Sequence, residues 1–296
     1  MQRRTVLSYG AAAWLLGGCT SMSRKQARAT DELRAALAAI EAESRGRLGV
    51  AVFDVSSGLE AGLNSDQRFA LCSTFKLLLV AQVMHRVQLG DLRLERRLYF
   101  APSEVLEYAP ATRARAGDGG GMSLLELCEA AVVLSDNTAA NVLLDQVDGP
   151  RGLTEWLRAN GDTITRLDRR EPALNDVAPG DERDTTTPLA MLQDVQNLVL
   201  GSVLDGFARA MLQQWLVDSR TGDKRLRAGM PAEWKVGGKT GSGQGIANDV
   251  VLAWPMPQSE PLLVSCYLAE SPLGEEGRNA CLAKVGQAVT RWYYSI

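Results

Sequence analysis

Four short stretches of this 296-residue chain carry side chains able to do acyl-transfer chemistry. In Ser73-Thr74-Phe75-Lys76, which opens a run with helical periodicity, a hydroxyl and an amine stand three residues apart. That spacing puts both on one helical face, so the amine can reach the hydroxyl. A serine is a poor nucleophile until a neighbouring base takes its proton. Ser135-Asp136-Asn137 lies between two helical segments. It offers a second hydroxyl to pass a proton and an amide to hold a substrate amide. Lys239-Thr240-Gly241-Ser242-Gly243 ends a predicted strand. Its cation and hydroxyls suit a carboxylate, and its glycines let a backbone approach closely. Arg169-Arg170-Glu171-Pro172-Ala173-Leu174-Asn175 sets a carboxylate where it could activate water.

Each stretch alone also has an ordinary reading. S-x-x-K pairs occur by chance, and Ser, Asp and Asn are favoured helix N-caps. A charged loop is usually just solvated. Gly238-Lys239-Thr240 looks like the end of a phosphate-binding loop, but that motif needs a glycine at position 233, which is Glu233. The single histidine, His85, reads as a surface residue on the polar side of a helix. One histidine rules out a histidine-rich zinc site and any Ser-His-Asp triad that does not use it. The base of a hydrolase built here must therefore be a lysine or a carboxylate.

The conjunction is more specific than its parts. S-x-x-K, S-D-N and K-T-G, in that order, are the set shared by class A β-lactamases and penicillin-binding proteins. The chain resembles the class A β-lactamases over roughly residues 30–294. Glu171-Pro172-Ala173-Leu174-Asn175 resembles the Ω-loop core that separates those hydrolases from relatives that acylate and stop, such as penicillin-binding peptidases and β-lactam sensors. The resemblance implies an α/β (α+β) fold, an antiparallel sheet flanked by helices plus an all-helical lobe. It implies hydrolysis of penicillins and cephalosporins, hence antibiotic resistance, with a small-molecule β-lactam and a water as the only partners and no cofactor or metal. Ser73 would be the nucleophile, Lys76 or Glu171 its base, and Ser135 the proton relay to the departing nitrogen. Glu171 and Asn175 would hold the deacylating water. The backbone amides of Ser73 and Ser242 would form the oxyanion hole. Asn137, Lys239, Thr240, Gly241 and Ser242 would bind substrate, with Arg225 beneath the carboxylate site and Tyr108 at the mouth. Arg169 would pair with Asp184 across the loop neck, and the Glu171–Pro172 bond would be cis.

The resemblance also marks departures. Some carbapenem-hydrolysing members bridge the cysteine matching Cys72 to a position that is Gly243 here, so that bridge cannot form. Others pair the match of Cys128 with a position that is Val80 here. Cys72, Cys128, Cys266 and Cys281 have no disulfide or metal spacing and read as buried thiols. The segment Gly241–Asn248 is about one residue short after its strand.

The elements needed to position these residues can be read from periodicity. Apolar positions at helical spacing cover 31–44, with Thr30 as the N-cap, then 73–89, 123–134, 137–147, 150–159, 188–199 and 275–293. Strands are predicted at 48–54, at a hairpin partner after Ser56-Ser57-Gly58, and at 234–241, 248–255 and 261–269. Residues 167–184 show no pattern, and loops that long are usually functional. Strands at both ends with helices between imply a sheet lobe of about 30–72 and 220–296 and a helical lobe of about 73–219. Together they form one catalytic domain, 30–296.

The N-terminus reads as an export leader. Arg3-Arg4, an apolar run from Val6 to Leu16 and Leu16-Gly17-Gly18-Cys19 make a secretory signal over 1–19. The arginine pair points to twin-arginine export. The last four residues resemble a lipobox, which would lipidate Cys19 and anchor a periplasmic protein through the polar tether 20–29. A net charge of −3 gives no basic footprint for nucleic acid, and a monomer is the default expectation.

Overall fold

The computed structural model describes residues 22–178 and 180–296. The segment read as an export leader, with Arg3, Arg4 and Cys19, lies outside the described residues. In chain order the first half holds α1 (Arg24–Ser44), β1 (Arg47–Asp54), β2 (Leu59–Leu63), β3 (Phe69–Ala70), α2 (Phe75–Gln88), β4 (Arg97–Leu98), β5 (Met122–Ser123), α3 (Leu124–Val133) and α4 (Asn137–Leu144). Then come α5 (Gly149–Ala159), β6 (Thr185–Thr186), α6 (Pro188–Val199), α7 (Gly206–Val217), β7 (Lys235–Gly243), β8 (Ile246–Trp254), β9 (Leu262–Ala269) and α8 (Glu275–Ser295). One antiparallel sheet runs in the order β2-β1-β9-β8-β7, so both ends of the chain build it.

The central strands are apolar on both faces because both faces are covered. Alternation sends successive side chains to opposite sides of a sheet. In β9, Leu262, Val264, Cys266 and Leu268 join α1 and α8 in one core. Leu263, Tyr267 and Ala269 join a second core made largely by the helical lobe. A near-continuous apolar strand is the mark of such double burial. Within the helical lobe, α2 is buried at every position from Phe75 to Met84. A helix apolar all round belongs in the centre of a core, and this one carries Lys76.

Some boundaries differ from the sequence reading. The tether 20–29 is wrong over most of its length, because α1 begins at Arg24 and not after Thr30. Ser23 caps it, with Gln26 returning the bond in a capping box, a signal that lies within the polar stretch. Thr30 is buried inside the helix, and its hydroxyl accepts from Trp292 Nε1 at 3.3 Å. His85 is half-buried and not a plain surface residue, since its Nδ1 accepts from Trp156 Nε1 at 3.1 Å. The helix α7 and the two-residue pairs β3–β6 and β4–β5 went unmarked; the pairs are too short to show a period. All four cysteines of the described residues are buried and free.

Candidate active site

Ser73 sits in a short 3-10 turn, Cys72–Thr74, that leads into α2. Cys72 has φ +43° and Ser135 φ +58°. Side-chain-bearing residues rarely take this left-handed backbone, and such strain gathers at functional sites. Burial pushes the Cys72 thiol up to about 12, so the thiol beside Ser73 is inert.

Around Ser73 the polar side chains form one network. Ser73 Oγ donates to Glu171 Oε1 at 3.3 Å, and Lys76 Nζ lies 3.1 Å from the same oxygen. Both charged side chains have no exposed surface. Lys76 also donates to the Ser135 carbonyl at 2.8 Å and to Asn137 Oδ1 at 2.5 Å. Burial pulls the Lys76 amine below its ordinary value, against the opposing pull of the Glu171 carboxylate. Among the described hydrogen bonds none joins Lys76 to Ser73, so the hydroxyl's acceptor is the carboxylate. Glu171 Oε2 accepts from Asn175 Nδ2 at 2.6 Å. Across the cleft, Lys239 Nζ donates to Ser135 Oγ at 2.9 Å. Burial first, and the Lys76 cation second, push Lys239 well below the usual lysine range.

The loop that bears Glu171 is tied at its neck. Asp184 is fully buried; its Oδ2 accepts from Arg169 Nε at 2.6 Å, and its Oδ1 from the backbone of Asp168 and Arg169 at 2.7 and 2.8 Å. Its carbonyl accepts from Leu71 N at 2.8 Å, two residues before Ser73. The Glu171–Pro172 peptide is cis.

The strand β7 closes the other wall. At Gly241 a Cβ would stand 2.9 Å from the Leu71 carbonyl oxygen and 3.1 Å from Cys72 Cβ. Glycine alone permits that approach, which brings the end of β7, with Ser242, beside the Ser73 turn. Arg225 lies buried beneath this end. It donates to Ser242 Oγ at 2.6 Å and to the carbonyls of Gly241 and Asn248 at 2.8 and 2.7 Å. Thr240 Oγ1 donates to Thr221 Oγ1 at 2.7 Å. A cleft of about 330 Å³ is lined by Ser73, Tyr108, Ser135, Asn137, Thr240 and Ser242, among others.

Comparison with known proteins agrees with this geometry. The profile of the "Beta-lactamase enzyme family" matches residues 32–293. Beta-lactamase L2 of Stenotrophomonas maltophilia is 43% identical over 86% of this chain and 84% of its own length. Beta-lactamase CTX-M-8 of Citrobacter amalonaticus is 41% identical over 89% of this chain and 90% of its own. Among solved structures, an ancestral class A β-lactamase of Gram-negative bacteria superposes with a TM-score of 0.84 at 50% identity, over 87% of this chain and 98% of that one. The chain belongs to the class A β-lactamases. A β-lactamase from Xanthomonas campestris, 45% identical, superposes with a TM-score of 0.86 over 88% of this chain and 97% of that one.

This β-lactamase hydrolyses β-lactams, the activity that confers resistance to them. Its structure also brings in residues that sequence reasoning missed. Asn141 grips Glu171 from α4: its Nδ2 donates to the Glu171 carbonyl at 2.9 Å and its Oδ1 accepts from Glu171 N at 3.1 Å. The signal was present, because Asn141 is one helical turn after Asn137 and shares its face. Thr221 partners Thr240, and Asn279 Oδ1 accepts from Arg225 Nε at 2.9 Å. Asn248 Nδ2 ties β8 to the Ala70 carbonyl at 2.8 Å. Those three contacts join residues far apart in sequence, and no local pattern announces them.

Proposed function

We propose that Ser73 is the acylated residue and that Glu171 arms the water that frees it. Ser73 Oγ attacks the lactam carbonyl carbon; an Oγ–C bond forms and the C–N bond breaks. The hydroxyl proton leaves toward Glu171 or Lys76, and Ser135 passes a proton to the departing nitrogen. The amides of Ser73 and Ser242 hold the oxyanion, where loss of one such donor typically costs about 3 kcal/mol. Lys239, Thr240 and Ser242 bind the substrate carboxylate, with Gly241 between them in the substrate-binding strand and Arg225 supporting Ser242 from below. Asn137 holds the substrate amide, and Tyr108, 52% exposed, flanks the mouth. In the second half, water adds to the ester carbon, the Oγ–C bond breaks, and the water's proton passes through Glu171 to Ser73.

One observation carries this reading: a single buried carboxylate, Glu171, meets the serine hydroxyl through one oxygen and Asn175 through the other. Asn175 Oδ1, buried and unpartnered among the described residues, is a ready acceptor for the proton of a bound water. Glu171→Ala should acylate and then stall, leaving a mass increase on Ser73 after mixing with a β-lactam. Full turnover by that variant would remove Glu171 from the role.

We further propose that residues 1–19 direct export to the periplasm, with twin-arginine use of Arg3-Arg4 and lipidation of Cys19. The support is the leader's residue pattern. Cells treated with a lipoprotein signal-peptidase inhibitor should accumulate the unprocessed chain; unchanged processing would reject the anchor.

A further inference from the structure

One cleft residue has no part in the chemistry described so far. Glu275, the first residue of α8, lines the same cleft as Ser73, Thr240, Ser242 and Arg225. It is exposed, and among the described residues it forms no ion pair. The charge is close enough to be felt at the carboxylate end, since it is one of the influences that help hold a proton on buried Arg225. The surroundings are open. A Cβ on neighbouring Gly274 would meet nothing within 4 Å, and one on Gly222, next to Thr221, would meet only Thr240 Cγ2 at 3.8 Å.

The chemistry of the substrates gives that position a meaning. In a cephalosporin the ring carbon bearing the carboxylate is bonded to the carbon bearing the C3 substituent. Whatever holds the carboxylate therefore sets where the C3 substituent goes. With the carboxylate at Lys239, Thr240 and Ser242, the substituent lies in the cleft that Glu275 also lines.

We propose that Glu275 is a specificity-determining residue, one that favours cephalosporins with a cationic C3 substituent over those with a neutral or anionic one. The inference rests on the β-lactamase reading and on the carboxylate site assigned above. Charges placed around a binding surface act mainly as discriminators: complementary charge steers the right partner in, and like charge rejects the wrong one. Because Glu275 is exposed, the effect is modest and sensitive to salt. Glu276, beside it in the first turn of α8, is not among the cleft residues and serves as a control.

The test uses two cephalosporins with the same C7 side chain, one with a C3 pyridiniummethyl group and one with a C3 acetoxymethyl group. Their intrinsic reactivities differ, but that difference cancels when the ratio of kcat/KM values is compared between enzymes. In Glu275→Gln the ratio of cationic to neutral substrate should fall about two- to fivefold. In Glu275→Lys it should fall further, and in Glu276→Gln it should stay. The wild-type preference should shrink as ionic strength rises. A general gain in carboxylate affinity, or a weaker helix start, would move both substrates together and leave the ratio fixed. An unchanged ratio in both Glu275 variants would overturn the proposal. Wild-type turnover of a penicillin but of neither cephalosporin would also overturn the proposal, whereas no turnover of any β-lactam would instead count against the hydrolase reading itself.

Discussion

Two buried charges and two hydroxyls are held by a handful of hydrogen bonds, and a small displacement of Glu171 would be felt at once. Its side chain is fixed by Ser73, Lys76 and Asn175, but its backbone is held from the helical lobe by Asn141 alone among the described side chains. A shift of about 1 Å in a positioned catalytic group can cost on the order of a hundredfold in rate. Asn141→Ala should therefore slow deacylation by at least about tenfold while acylation of Ser73 changes less. Stopped-flow measurement with a chromogenic cephalosporin would show this as a pre-steady-state burst followed by slow turnover. Equal slowing of both steps would mean that Asn141 supports the whole cleft and not Glu171 in particular. The side chains that meet in the cleft were legible in the sequence because they stand in short motifs at fixed local spacing, as in Ser73–Lys76 and Glu171–Asn175. Asn141 was not, because an asparagine on a helix has many uses and only the fold shows that it faces Glu171.

At the scale of elements, the long loop works as a closed ring, not a flap. Thr165 and Thr186 share a hydrogen bond of 2.7 Å across its neck, β6 pairs with β3, and Asp184 gathers Arg169, two backbone amides and the Leu71 amide. The last contact links the loop that carries Glu171 to the turn that carries Ser73. Removing one partner of a buried ion pair leaves the other uncompensated, typically at a cost of about 3–5 kcal/mol. Arg169 is partly exposed, so Asp184→Ala should fall at or below the low end of that range. The variant should melt earlier in calorimetry, and at temperatures where it is still folded it should accumulate acyl-enzyme. A variant with lower melting temperature but normal deacylation would confine Asp184 to stability. Sequence periodicity found the loop by its lack of pattern, and the resemblance to the class A β-lactamases, not any local signal, supplied the pair at its neck. It misplaced the start of α1 because a polar, basic stretch reads as linker, although Ser23 and Gln26 already spelled a capping box. It missed β3 and β6 because two residues cannot establish a period.

For the molecule as a whole, the sheet is a shared partition between two cores, and its strands carry residues that serve both the site and the fold. That much was legible: strands at the two ends and helices between imply a sheet closed by both termini. Long-range polar links through the sheet were not, and Asp249 is the most consequential. It lies in β8, wholly buried, with Oδ2 accepting from Leu226 N at 3.2 Å and Oδ1 unpartnered among the described residues. Burial raises its carboxyl from the ordinary 3.8 to about 6, although Arg225 and the Leu226 amide pull the other way. The folded state thus holds this proton more tightly than the unfolded chain does. Its contribution to stability is full below about pH 4 and is lost as pH rises through about 6. At roughly 1.4 kcal/mol per pH unit the loss is about 3 kcal/mol. Asp249→Asn cannot titrate, so whatever its constant effect on packing, its stability relative to the wild type should improve by up to about that amount between pH 4 and pH 7. Denaturant unfolding at several pH values measures the difference directly. A difference independent of pH would mean that Asp249 has the same proton affinity folded and unfolded, and that the burial of its charge is fully compensated.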